Sequence, residues 1–232
     1  MQSLPPGYRA LVLGATGAIG GALAAQLRAD PRCALVQTLG RGSAPALDFN
    51  APDSIAQAAQ ALRPQGPWHL VLVATGMLHG PTGQPEKRLA DLRVEHLTAS
   101  FALNAIGPAL VLAQFLPQLA RGERSLCAVL SAKVGSIGDN RLGGWVSYRA
   151  SKAALNMVVK TAAIELARTH PQAVLAALHP GTVASALSAP FRGGGNGRPA
   201  GDAARDLLAV LDRLQREDSG GFWAYDGQRL PW

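Results

Sequence analysis

Tyr148 and Lys152 stand four residues apart at the head of an apolar run, Ala153 to Ala167, that contains neither Pro nor Gly. A helix is the natural reading of that run, and it sets the two side chains one turn apart on one face. A phenol titrates near 10, so acting as an acid or base at neutral pH requires positive charge nearby, which an ammonium one turn away supplies. Alone, the pair also fits an aromatic and a charge on an ordinary amphipathic helix. A second group of residues is suited to phosphate. Gly14-Ala15-Thr16-Gly17-Ala18-Ile19-Gly20 follows the short β-prone run Arg9 to Leu13 and leads into an Ala/Leu-rich helical stretch reaching Ala29. Strand, glycine turn and helix in that order let the backbone approach a pyrophosphate, whose charge then rests on the N–H groups and positive dipole of the helix start.

The next apolar run, Cys33 to Leu39, ends at Gly40-Arg41-Gly42, where a dinucleotide fold places the residue that meets the adenosine ribose. An acidic residue there favours the free 2′-hydroxyl of NAD, and an Arg accommodates the 2′-phosphate of NADP. Arg41 therefore points to NADP (NADPH) over NAD. Asn104 is a polar residue on an otherwise apolar segment, and by itself reads as a half-exposed helix Asn.

The elements that must position these residues follow in order along the chain. A segment Ala46 to Phe49 precedes a helix from about Pro52 to Leu62. Pro64 to Pro67 breaks the chain before a buried-looking strand, His69 to Ala74, that ends in Thr75-Gly76. A polar loop, Gly80 to Pro85, leads to a helical region from about Leu89 to Leu119, interrupted at Gly107-Pro108. The run Ser125 to Leu130 reads as a strand ending at Ser131-Ala132-Lys133, and Gln172 to Leu178 as another, closing on His179-Pro180-Gly181. Small residues fill Ser188 to Gly201, which suggests a mobile segment. A helix from Asp202 to Gln215 and a short strand near Phe222 to Tyr225 complete the chain. Strands alternating with helices in this way predict the α/β class: a doubly wound parallel sheet with helices on both faces and a ligand crevice at the carboxyl ends of its strands.

At 232 residues, 48% hydrophobic and 16% charged, the chain suits one domain spanning 1–232 with a substantial core. The net charge of +7 comes mainly from scattered Arg residues rather than basic blocks, and no aromatics are interleaved with a basic cluster, which argues against nucleic acid. Cys33 and Cys127 fall inside predicted strands far apart in sequence, as reduced thiols do, and suggest neither a disulfide nor a metal site. The N-terminus lacks an apolar signal core and no apolar run reaches membrane-spanning length, so no membrane is expected and the cytoplasm is the default location.

Together, the glycine turn at Gly14, Gly17 and Gly20, Asn104, Tyr148-x-x-x-Lys152 and Pro180-Gly181 resemble the short-chain dehydrogenase/reductase family along essentially the whole chain. The cluster Gly135-Ser136-Ile137, Asp139-Asn140 and Tyr148 to Met157 is most similar to the branch containing the bacterial C-factor. The resemblance implies a single Rossmann-type domain and an NADPH-dependent oxidoreductase acting on the carbonyl or secondary alcohol of a small molecule. Tyr148 would be the general acid or base, worth ~10²–10⁴ in rate. Lys152 would lower its pKa and hold the nicotinamide ribose, and Asn104 would position a water that relays protons to Lys152. Cofactor contacts would come from Gly14, Thr16, Gly17, Ile19, Gly20, Arg41, Asp48, Ala74, Thr75, Gly76, Tyr148, Lys152, Pro180, Gly181, Val183 and Ser185. A homodimer or homotetramer would form through the helix after Tyr148 and the one containing Asn104.

Three positions depart from the family pattern. Ala18 replaces the middle glycine of the turn, and Val73-Ala74-Thr75-Gly76 stands where Asn-Asn-Ala-Gly is usual. The catalytic Ser position falls on Ala132, leaving Ser131 and Ser136 as candidate hydroxyls. That vacancy keeps a second function open: a nucleotide-binding regulatory or signalling protein of the same fold with weak or no turnover.

Overall fold

A computed structural model describes residues 1–191 and 197–232. Residues 192–196, inside the segment expected to be mobile, lie outside the described residues. Six parallel strands, β1 (Tyr8–Leu13), β2 (Cys33–Leu39), β3 (Leu70–Val73), β4 (Ser125–Leu130), β5 (Ala173–His179) and β6 (Gly221–Ala224), form one sheet in the order β2-β1-β3-β4-β5-β6. Their central members are continuous apolar runs because helices cover both faces and leave no solvent side for a polar residue. The strand period divides each run between two cores. Leu11, Leu13, Val71, Val73, Cys127 and Val129 pack under α2 (Asp53–Leu62), α4 (Gly107–Phe115) and α5 (Val146–Thr169). Ala10, Val12, Leu70, Leu72, Leu126 and Ala128 pack under α1 (Ala18–Ala29) and α6 (Ala200–Arg213). The order reverses between β2-β1 and β3, so the crevice of a doubly wound sheet opens at the carboxyl ends of β1 and β3.

Three expectations require correction. Gly107-Pro108 does not interrupt the long helix. α3 (Val94–Phe101) runs through a π segment, Ala102–Ile106, straight into α4, and the Gly107 N–H donates to the Ala102 carbonyl. Pro108 has no N–H to return to the carbonyl four residues back, that of Asn104, and the helix widens there to a π turn instead of ending. Val94–Gln118 is also long and apolar enough, by length and composition, to cross a membrane. In the fold, however, its Val111, Leu112 and Phe115 belong to the core beneath α4. Finally, the segment from Ser188 to Gly201 is packed at both described ends. Ser188 turns back on Ser185, Arg198 bridges Val183 and forms an ion pair with Asp206, and residues 200 and 201 already belong to α6. Cys127 is buried, Cys33 is partly buried, and both are free thiols.

Candidate active site

The buried carboxylate of Glu86 fixes the start of α5. Its Oε2 accepts from the Ser147 N–H at 3.1 Å and its Oε1 accepts from the Ser147 hydroxyl, while its backbone carbonyl accepts from the Trp145 N–H. A carboxylate on an otherwise unpaired amide and on the positive helix end is doubly favoured, and these bonds hold its pKa below the usual range despite burial. The entry itself is strained. Gly143, Gly144 and Trp145 are three successive left-handed residues, at φ 64°, 64° and 53°. The glycines adopt this conformation freely, whereas a Trp there costs about 1–3 kcal/mol, which the surrounding bonds must offset. Arg149 locks the turn by donating to the carbonyls of Gly143 and Gly144.

One turn into α5, Tyr148 and Lys152 lie on the crevice side, with the Lys152 ammonium 5.9 Å from the centre of the phenol ring. Lys152 is only 2% exposed, and its Nζ donates to the Leu130 carbonyl at the end of β4 at 2.8 Å. Burial pushes the Tyr148 phenol up to about 12 and the Lys152 ammonium down to about 7. The expectation that Lys152 lowers the phenol's pKa is therefore not met by these two groups alone. The cation that would do so is itself partly neutralised by the same desolvation. At neutral pH the phenol keeps its proton, so the pair is set up to donate one.

Asn104 is completely buried rather than half exposed. Its Oδ1 accepts from the Met77 N–H and its Nδ2 donates to the Met77 carbonyl, both at 2.8 Å, and Nδ2 also reaches Ser151 Oγ at 3.1 Å. The loop after β3 is thereby fastened to α5. A methyl on Gly76 would lie 3.6 Å from both Asn104 Oδ1 and Lys152 Nζ, so these two polar groups converge on that loop. Asn104 thus supplies the polar support for the β3 end that Ala74 and Thr75 lack.

Ser131 does not join the group. It is 4% exposed and its hydroxyl donates to Asn156 Oδ1 at 2.6 Å, beneath α5 and one turn beyond Lys152. Ala132 is extended at φ −145°, ψ 142°, so its methyl leaves the backbone on the side opposite Ser131. The Ser136 hydroxyl accepts from the Asp139 N–H at 3.1 Å and closes the following turn. Neither hydroxyl is hydrogen-bonded to the phenol.

The glycine turn, in contrast, fits a dinucleotide. Gly14 sits at φ +82°, and a methyl there would come within 2.9 Å of the Ala74 carbonyl; one on Gly20 would come within 2.3 Å of the Gly14 carbonyl. Without side chains, the turn leaves a cavity of about 310 Å³ lined by Gly14, Thr16, Gly17, Arg41, Asp48, Ala74, Thr75 and Gly76. Thr75 Oγ1 is buried beside it without a hydrogen-bond partner, as suits a ligand contact. Ile19 is not in this lining and packs against the core under α1. Pro180 and Gly181 follow the end of β5, Val183 is buried, and Ser185 closes a local turn with Ser188, so these four are apart from the cavity. Sequence reasoning missed Glu86 and Trp145, because neither contact is local in sequence and a Trp carries no signal for positive φ.

Comparison with known proteins agrees with the fold. A family model described as short chain dehydrogenase matches residues 9–194. The C-signal protein of Myxococcus xanthus is 37% identical over 145 residues, 62% of this chain and 83% of that protein. The 1-hydroxy-2-glutathionyl-2-methyl-3-butene dehydrogenase of Rhodococcus sp. strain AD45 is 34% identical over 144 residues, 62% of each chain. Among solved structures, an NADPH-bound carbonyl reductase from chicken fatty liver shares the fold at a TM-score of 0.82, covering 99% of this chain and 100% of that one at 24% identity.

Proposed function

We propose that this chain, which belongs to the short-chain dehydrogenase family, is an NADPH-dependent oxidoreductase that reduces a carbonyl or oxidises a secondary alcohol of a small molecule. The observation that carries this reading is the pair of half-buried Tyr148 and buried Lys152 at the strand ends, beside a side-chain-free glycine cradle. NADPH, when bound, supplies the hydride. Gly14, Thr16 and Gly17 would hold its phosphates, Thr75 and Gly76 its adenosine side, and Arg41 its 2′-phosphate. Pro180, Gly181, Val183 and Ser185 would border the nicotinamide half. Tyr148 keeps its proton at neutral pH and gives it to the carbonyl oxygen; in the alcohol direction it takes the proton back. Lys152 stabilises the phenolate that results, and Asn104 holds the neighbouring loop and a proton-relaying water in place.

A continuous NADPH-oxidation assay over aldehydes, ketones and quinones tests the reading, with Tyr148→Phe expected to lose ~10²–10⁴ of the rate. Turnover untouched by that substitution would overturn it. Cofactor choice has its own test: fluorescence titration should show NADPH binding at least about tenfold tighter than NADH, a gap of about 1.4 kcal/mol, and the gap should close in Arg41→Ala. A second reading, a nucleotide-binding protein with weak or no turnover, is favoured by one observation. Ala132 offers no hydroxyl, and those of Ser131 and Ser136 are engaged elsewhere. Tight nucleotide binding without NADPH consumption on any carbonyl would select it.

A further inference from the structure

Beyond the pair itself, three rings extend from Tyr148 in sequence. The Trp145 indole meets the Tyr148 ring edge-on at 6.4 Å between centres, Phe191 lies 5.2 Å from Trp145, and His79 lies 5.7 Å from Phe191. They come from three separate elements: the entry to α5, the turn after β5 and the loop after β3. Two of the three are held firmly. Asn104 fastens Met77 by both its N–H and its carbonyl, two residues before His79, and Glu86 accepts from the Trp145 N–H and caps the next turn. Trp145 is the one non-glycine residue at positive φ among the described residues, a conformation that disfavours bulky side chains. Nothing in the capping of α5 requires an indole there, since the two glycines before it make the turn. The strained residue is explained by where its ring falls, on the edge of the phenol. His79 Nε2 is buried without a hydrogen-bond partner, a polar group unsatisfied by the protein.

Building on the oxidoreductase reading, we propose that Trp145 is the specificity-determining residue of an aryl-carbonyl pocket. The favoured substrate is a planar aromatic ketone or aldehyde whose ring lies against Trp145 and Phe191 while its carbonyl oxygen meets Tyr148. An acceptor on the far side of the ring would satisfy His79. In the reaction, hydride from NADPH forms the new C–H bond at the carbonyl carbon, the C=O π bond breaks, and the oxygen takes the Tyr148 proton. The ketone is reduced to the alcohol, NADPH is oxidised to NADP⁺, and solvent returns the proton to the phenol. Aromatic walls favour an aromatic ring over a saturated ring of equal size through ring–ring contacts that the saturated ring cannot make.

The test compares 2-acetonaphthone with its fully hydrogenated analogue, matched in heavy atoms, by calorimetric titration of the intact protein in NADP⁺, alongside NADPH turnover of each. Trp145→Gly retains a residue that accepts the left-handed backbone while removing the ring, and a cooperative thermal melt verifies that it folds. The expected result is an affinity ratio of ~10 in favour of the aromatic ketone in the wild type. It should fall to within about twofold of unity in Trp145→Gly, with little change for the saturated ketone. Equal affinities in the wild type, or an unchanged ratio in Trp145→Gly, would overturn the inference. An aromatic preference in binding that depends on Trp145, with no NADPH consumed, would support the pocket and sink the oxidoreductase reading instead. His79→Phe should lower affinity for 6-hydroxy-2-acetonaphthone more than for the unsubstituted ketone, and equal losses would remove His79 from the site.

Discussion

Ala132→Ser asks most directly whether this site is limited by one missing hydrogen bond. Leu130 leans on the core under α1 and α6 and Ser131 turns to Asn156 under α5, so a hydroxyl at 132, just past the carboxyl end of β4, would leave on the side away from Asn156 and free of that bond. A donor aimed at developing charge is worth ~10²–10³ in rate, so steady-state turnover should rise towards that range in Ala132→Ser. Ser131→Ala should change turnover far less than Tyr148→Phe, while costing about 1–3 kcal/mol of stability because Asn156 Oδ1 is left unpaired. A turnover loss in Ser131→Ala as severe as in Tyr148→Phe would return the catalytic hydroxyl to Ser131. Lys152 gives a second residue-level test, free of any substrate. Its pKa is about 7 in the fold against 10.5 for an unperturbed lysine, so between those values the unfolded chain binds the extra proton and stability rises with pH. The melting temperature should therefore climb from pH 7 to pH 9 by several degrees, at ~2–4 °C per kcal/mol for a chain of this size. In Lys152→Met the climb should be much smaller, and identical slopes would mean that the ammonium is not desolvated. Tyr148, Lys152 and the glycine cradle were legible because spacing encodes them, whereas Asn104 was legible only through the family resemblance, its own segment suggesting a half-exposed residue. The raised phenol pKa was not, since it depends on how deeply the fold buries both partners.

Legibility at the level of elements followed how locally each element is determined. β4 (Ser125–Leu130) coincides with the predicted run because a strand buried on both faces is written as a nearly unbroken apolar sequence between breakers. β2 (Cys33–Leu39) coincides as well, although at the sheet edge it is only partly buried and carries Gln37 and Thr38. The Gly107-Pro108 break was misread because a π turn absorbs the missing Pro108 donor, which no local propensity announces. The cap of α5 was invisible for a different reason: Glu86 lies 61 residues before Ser147. Its effect can be measured. The bonds from Ser147 hold the Glu86 pKa below its value in the unfolded chain, so the stability they provide is complete above the unfolded pKa near 4.5 and is lost as pH falls through the lower, folded one. Glu86→Gln should therefore destabilise the protein at pH 7 by about 1–3 kcal/mol, and should flatten the acid limb of its stability profile. Chemical denaturation at pH 7 and near pH 4 provides the comparison, and an unchanged acid limb would show that the carboxylate is not what caps the helix.

For the molecule as a whole, the two cores leave one face of α3, the π segment, α4 and α5 without cover. Leu155, Val159 and Leu166 of α5 are buried against the sheet, yet Met157 is 67% and Ile164 52% exposed on the same helix, seven residues apart and so on one side of it. On the neighbouring helical stretch Val94 is 69%, Ile106 54% and Leu110 37% exposed. A patch contributed by two adjacent helices suits a self-complementary contact, in which a two-fold axis sets each helix pair against its copy. Burying a Val, Ile or Met side chain is worth ~1.5–3 kcal/mol, so five such residues on each protomer can hold a dimer together, or a tetramer if a second contact forms. Light scattering at micromolar concentration should give at least twice the 24.1 kDa mass of one chain. Ile106→Glu with Met157→Glu places unpaired charge in that contact and should shift the protein to single chains. The double variant should still bind NADPH, because neither side chain lines the cavity beneath the glycine turn. A wild-type mass of one chain, or a double variant that stays assembled, would place the interface elsewhere or remove it.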